Sequence, residues 1–184
     1  QADDRIHLIA LDIAEHLANK IPQGLKGQLA CESKATAIRY QRYLNEIGLF
    51  ESAVVISPPD SREGNTQLDE QASDEVVRWW TANVQGDEES STQQALSRFA
   101  HPDSPLRLLI VVDKLLTGFD EPSNAVLYID KPLKQHNLIQ AIARVNRLHK
   151  QKEYGLLVDY RGILKELDTT IAKYQDLANR TQRG

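Results

Sequence analysis

The run from Leu106 to Val112, Leu-Arg-Leu-Leu-Ile-Val-Val, has the length of a strand and is almost wholly apolar. A strand wetted on one face alternates apolar and polar residues, whereas one covered on both faces reads as a continuous apolar stretch. This run therefore demands a sheet with helices on both sides, and it is expected to be the central strand. Shorter apolar stretches at 27–31, 53–56, 125–129 and 155–158 read as its companions. Helical patterns fall around and between them. Ile6, Ile9, Ile13 and Leu17 repeat on one face of a helix over 6–18. Ser33 opens a second helix that runs to Ile47, where Gly48 is placed to end it. A third ends at Ala95 to Phe99, and two more are expected over about 137–148 and 163–177. Alternation of strands and helices implies right-handed crossovers and a mainly parallel sheet, hence a three-layer α/β domain.

With 184 residues the chain fits one domain large enough to bury a core. No apolar run approaches the roughly 20 residues of a membrane span, and a single cysteine, Cys31, excludes an internal disulfide and suits a cytosolic protein. The chain lacks methionine and starts at Gln1, as expected of an interior piece of a longer protein. Its net charge of -4 is unevenly spread. Residues 51–104 hold 11 acidic and 3 basic side chains, which leaves 15 acidic and 19 basic elsewhere. The acidity is thus local, and 57–104 reads as an insertion. Within it Val76, Val77, Trp79 and Trp80 suggest one helix that packs back on the core, in preference to a surface that stacks on bases.

In parallel α/β folds, ligands meet the loops beyond the carboxyl ends of the strands. Three stretches lie there: Ser33 to Thr36, Asp113 to Pro122, and the helix after Lys131-Pro132. On that helix Gln140, Arg144 and Arg147 recur at i, i+4 and i+7 and share one face, away from the apolar stripe of Leu138, Ile142 and Val145. Two planar, permanently charged guanidinium groups on one face suit a triphosphate. The plainer alternatives are a solvated charged face and, for Asn137 with Gln140, a capping box. In 113–122, Gly118 permits close backbone approach, Asp120 can accept hydrogen bonds from a ribose and Thr117 can meet a phosphate, although an ordinary turn uses the same residue types. Ser33 is an N-cap candidate at a helix start that also favours a phosphate. The chain lacks the G-x-x-x-x-G-K-[ST] phosphate loop and a strand ending in paired acids for magnesium, so it cannot be a self-contained phosphate-loop motor. Its five histidines and Cys31 lack metal-ligand spacing.

Together VVDKLLTGFDEP (111–122) and LIQAIARVNRLHK (138–150) resemble motifs V and VI of superfamily-2 helicases. The wording is closest to the motor (R) subunit of type I restriction enzymes, whose second RecA-like lobe carries LLTGFD and QAIARVNR forms and a strand like YGLLVDYRG (154–162). Residues 26–48 resemble the motif IV region, and SPPDSRE (57–63) the start of the family's insertion. The resemblance implies a RecA-like domain over 1–184, with the insertion at about 57–104 and a C-terminal helix at about 163–184 leading onward. It implies that Arg144 and Arg147 reach the ATP γ-phosphate, that Gln140, Gly118 and Asp120 lie at the nucleotide, and that Ser33, Lys34 and Thr117 face the DNA backbone. Many superfamily-2 members have Gly where Ala143 stands and Arg where Thr117 stands.

ATP and Mg2+ would be held mainly by a first RecA-like lobe outside this sequence. The implied partners are duplex DNA, that lobe and a nuclease domain of the same parent chain, and the methylase and specificity subunits of a cytoplasmic restriction complex. The isolated fragment is expected to be inactive, the parent being an ATP-dependent translocase and endonuclease. Two other readings compete. One is a lobe of a different superfamily-2 translocase; the other is a non-catalytic α/β binding module whose arginine stripe is only solvated.

Overall fold

The computed structural model describes residues 2–59, 67–112, 124–132 and 156–162. Its elements in chain order are α1 (Ala2–Asn19), β1 (Lys26–Cys31), α2 (Lys34–Ile47), β2 (Glu51–Val55), α3 (Gln67–Asn83), α4 (Glu88–Ala100), β3 (Leu106–Val111), β4 (Asn124–Asp130) and β5 (Leu156–Asp159). The helices expected over 137–148 and 163–177 lie outside the described residues. None of the described helices is long and apolar enough to cross a membrane.

The strands form one sheet in the order β2-β3-β1-β4-β5, and every described pair is parallel. The expected α/β class, a three-layer RecA-like domain with a mainly parallel sheet, is the class observed. The position of β3 differs from expectation. It lies between β2 and β1, and β1 holds the centre. A continuous apolar run reports cover on both faces, and a strand one place from the middle meets that condition equally well. β1 hid its centrality because it opens with Lys26 and carries Gln28, both buried. The Lys26 ammonium donates to the carbonyls of Ser104 (2.9 Å) and Leu106 (2.6 Å), which compensates its removal from water.

Alternation along the strands sorts side chains between two faces. Leu29 and Cys31 of β1, Leu108 and Ile110 of β3, and Val126 and Tyr128 of β4 face a core built with α1 and α2. Leu109 and Val111 face the opposite side, where Phe99 of α4 is fully buried. Close packing on the first side needs Gly27, since a Cβ there would sit 3.3 Å from the Tyr128 ring. α1 inserts Ile6, Ile9, Ile13 and Leu17, the stripe read from the sequence. α2 begins and ends as its sequence indicates. The Ser33 side chain accepts from the Thr36 backbone, and Gly48, at φ 73, takes the left-handed conformation of a C-terminal cap.

α3 lies against α2, with Val76 buried and Trp79 and Trp80 packed on the core as their helical spacing suggests. The Trp79 indole donates to Gln41 at 3.0 Å, so this ring is anchored rather than presented to a base.

Burial separates two leucine-like positions of the same chemistry. Ile110→Ala, in the closed core, is expected to cost about 2–5 kcal/mol. Leu8→Ala, on the solvent side of α1, should stay within about 0.5 kcal/mol. Denaturant titration of both variants checks the pair, and equal losses would contradict the packing.

Candidate functional site

The carboxyl edge of the sheet is assembled around the end of β1. Ala30 pairs with Val111 of β3 on one side and with Ile129 of β4 on the other, so the three strands run out together. From β1 the chain goes out to β2, returns to β3 and then crosses to β4, which makes this the region where the winding changes direction. In parallel α/β sheets such a place forms the ligand crevice. The segment bearing Thr117, Gly118 and Asp120 leaves β3 after Val112, and the segment bearing Gln140, Arg144 and Arg147 leaves β4 after Pro132. These six residues lie outside the described residues; their points of departure lie on one edge.

Ser33 and Lys34 are described. The Ser33 hydroxyl is engaged in capping α2: it accepts from the Thr36 N-H at 3.1 Å and donates to the Thr36 hydroxyl at 2.9 Å. The Lys34 ammonium donates to the Pro58 carbonyl, just beyond β2, at 2.7 Å. Among the described residues no acid pairs with Lys34, and both residues stand at the amino end of a helix, where peptide dipoles favour anions.

A cluster the sequence reading missed lies beside them. Asp130, the last residue of β4, is only 1% exposed. Arg5 of α1 meets its carboxylate with two hydrogen bonds, at 3.0 and 2.6 Å. The Tyr40 hydroxyl of α2 donates at 2.5 Å, and Nε of Arg161, just after β5, donates at 2.8 Å. Arg161 reaches on to Glu32 at 2.8 Å, beyond the end of β1. Burial alone would raise the Asp130 pKa, but hydrogen bonds from Arg5, Tyr40 and Arg161 outweigh it and hold the carboxyl below its ordinary value. Burial, then the hydrogen bond to Asp130, pushes the Tyr40 hydroxyl upward, so it stays a donor.

The available signal was an acid closing the apolar run of β4 and an arginine in the turn after β5. Nothing local identified Arg5 or Tyr40 as partners. Cys31 is buried, and its thiol is raised first by burial and then by the Asp130 charge, so it is poorly suited to act as a nucleophile.

Comparison with known proteins gives a consistent set of likenesses. The family model described as type I restriction enzyme subunit R domain 3 matches residues 23–162. The HindI endonuclease subunit of a type I restriction enzyme from Haemophilus influenzae is 32% identical over 190 residues, covering all of this chain and 17% of that protein. A Methanocaldococcus jannaschii protein, described as the MjaIXP type I restriction enzyme endonuclease subunit, is 33% identical over 181 residues, covering 97% of this chain and 16% of its own length. The chain thus spans about one sixth of the length of these relatives. A solved fragment described as an HsdR subunit from Vibrio vulnificus superposes with a TM-score of 0.52 over 87% of this chain and 28% of that one, at 16% identity, a likeness of fold.

The Asp130 cluster has a pH signature. Because the folded pKa lies below the unfolded one, its stabilisation is complete above the unfolded carboxyl value of about 3.9 and is lost as pH falls through the folded value. Asp130→Asn is expected to cost stability toward the lower end of the roughly 3–5 kcal/mol typical of a broken buried pair, since its arginines keep contact with water. It should also flatten the acid limb of the stability profile. Unfolding free energies measured from neutral pH to about pH 3 check both effects, and an unchanged acid limb would contradict the assignment.

Proposed function

Because this chain belongs to the family of type I restriction enzyme R subunits, we propose that it is the second RecA-like lobe of an ATP-dependent DNA translocase within the parent subunit. One observation carries this reading. The segments with motif V and motif VI wording depart from the ends of β3 and β4, on either side of β1, at the carboxyl edge where such sheets receive nucleotides. A solvated helix face on a non-catalytic module does not require that juxtaposition.

The residues fit a triphosphate by their chemistry. Arg144 and Arg147 present two forked donors, Gln140 adds an amide, and Gly118 with Asp120 suits close approach and a ribose hydroxyl. When bound, ATP supplies a γ-phosphoryl group that gathers negative charge as it transfers. Arg144 and Arg147 stabilise that charge from across the cleft, a contribution worth about 10³ to 10⁵ in rate. Mg2+ falls to the first lobe, since this chain has no paired acids at a strand end. Lobe closure excludes water and shifts Ser33, Lys34 and Thr117 relative to the DNA backbone, which converts hydrolysis into movement. Nuclease, methylase and specificity functions belong to other parts of the complex.

Two measurements test this in the parent subunit. Arg144→Ala or Arg147→Ala should lower DNA-stimulated ATP turnover by about two orders of magnitude or more with little change in thermal unfolding, and Arg→Lys should recover only part, because an ammonium lacks the fork. Near-normal turnover in both alanine variants would reject the reading. On duplex DNA, Lys34→Ala should weaken binding equally across sequences and reduce the salt slope by about 0.9, the loss of one neutralised phosphate. An unchanged slope would remove Lys34 from the DNA surface.

A further inference from the structure

At β2 the sheet ends in open main chain set inside a walled cleft. β2 pairs with β3 on one side, and among the described residues no strand pairs with the other. Main-chain groups alternate between the two sides of a strand. The Glu51 N-H donates to the Pro105 carbonyl on the β3 side at 3.0 Å, so Ser52, Val54 and Ile56 turn their main-chain groups outward. There the Gln41 amide, itself held by the Trp79 indole, donates to the Ser52 carbonyl at 3.2 Å, in the place that the N-H of a further strand would fill. The rest of the stretch is not blunted, since 52–56 holds no lysine or proline and the register irregularity lies before Ser52. Pro58 and Pro59, which lack N-H groups, mark its end.

A cleft of about 240 Å3 follows this side of the strand. Trp79, Trp80 and Asn83 of α3 line it from the sheet face that α2 covers, and Ser91, Gln94 and Ala95 of α4 line it from the opposite face. Its volume is below the roughly 300–1,000 Å3 of small-molecule sites, while its floor extends along β2 from Ser52 to Ile56. The Ser52 hydroxyl lies in the cleft, buried and without a hydrogen-bond partner among the described residues, so a fitting occupant brings it a polar group. The surrounding charge is one-sided. Residues 51–104 carry 11 acidic side chains against 3 basic ones, with Asp87, Glu88 and Glu89 together at the start of α4. Such a surface repels a phosphate backbone and a second copy of itself, and it attracts a basic peptide.

We propose that the outer side of β2 is a docking site for an extended, basic segment from another part of the parent R subunit, which joins the sheet as a further strand. Main-chain hydrogen bonds at Val54 and Ile56 hold the segment, and its alternate side chains meet the Ser52 hydroxyl and the helical walls. The relatives indicate the source, since this chain spans about one sixth of their length and most of the parent lies outside it. The inference rests on family membership and is independent of the motor reading.

The test uses the intact parent subunit with the photo-crosslinker benzoylphenylalanine installed at Gln94, exposed at the rim of the cleft, or at Ser97, exposed on α4 but outside it. Illumination and peptide mapping should join Gln94, and not Ser97, to a lysine- or arginine-bearing segment of the same subunit outside residues 1–184. Raising ionic strength from about 0.1 to 1 M, which shortens the screening length from about 10 to 3 Å, should lower the yield about threefold or more. Asn83→Lys, which places a like charge on the α3 wall, should lower it at low salt, and Asn83→Asp should not. Thermal midpoints within about 2 °C of one another show that a lost adduct reports docking and not folding. The salt series needs no change at Asn83 and so decides the matter even if that variant is unstable. An adduct to a second copy, to bound duplex DNA or to a segment without net positive charge would overturn the proposal. So would a yield at Gln94 no higher than at Ser97, or one that salt leaves unchanged.

Discussion

A carboxylate removed from water at the end of β4 sets the terms for the whole carboxyl edge. Isolated in an apolar surrounding, Asp130 would be too costly to keep ionised, so the fold must deliver donors to it. It does so from three elements: Arg5 from the first turns of α1, Tyr40 from the middle of α2, and Arg161 from the turn after β5. These elements cannot shift independently without leaving charge unpaired. The apolar packing of α1 and α2 on the sheet is forgiving of small slides; the angular demands of a two-pronged arginine and a short hydroxyl contact are not. The cluster thus converts a hydrophobic sandwich into one with a defined edge.

That definition matters because the edge is where the chemistry is proposed to occur. Sites are most accurate when their supports are locked by packing and by hydrogen bonds from beneath. Glu32, Asp130 and Arg161 link the ends of β1, β4 and β5, and Lys131 carries the linkage to the end of β3. The opposite edge serves a different purpose. There the buried ammonium of Lys26 binds carbonyls at the start of β3, and the Arg107 guanidinium binds carbonyls of Ile21, Pro22 and Leu25. These contacts close the turns that lead into the strands.

Membership in the R-subunit family is consistent with this division. The family-model match begins at Gln23 and ends at Gly162, close to the limits of the described sheet and its closing arginine turn. α1 precedes the matched region, yet it contributes Arg5 to the cluster and four aliphatic residues to the core. It is therefore structurally part of the domain. The acidic stretch after β2 supplies α3 and α4, which pack on α2 and beneath β2 and β3, so its charge is carried on helices that face outward from a well-formed core.

The sequence by itself determined the class of fold, because hydrophobic period and cap chemistry act within a few residues. The stripe of α1, the Ser33 and Gly48 limits of α2, the anchoring side of α3 and the apolar strands were all legible for that reason. The wording of 111–122 and 138–150 pointed to a candidate site whose residues lie almost wholly outside the described ones, while Ser33 and Lys34 stand, as read, where β1 passes into α2. Only the tertiary structure decided that β1 and not β3 is central, since strand order depends on crossovers that leave no local mark. Only it could join Arg5 to Asp130, 125 residues apart, Tyr40 to Asp130, 90 apart, or Lys131 to Val112 across an intervening strand. A charged residue announces its need for a partner, but which partner meets it is settled by the geometry of the packed sheet.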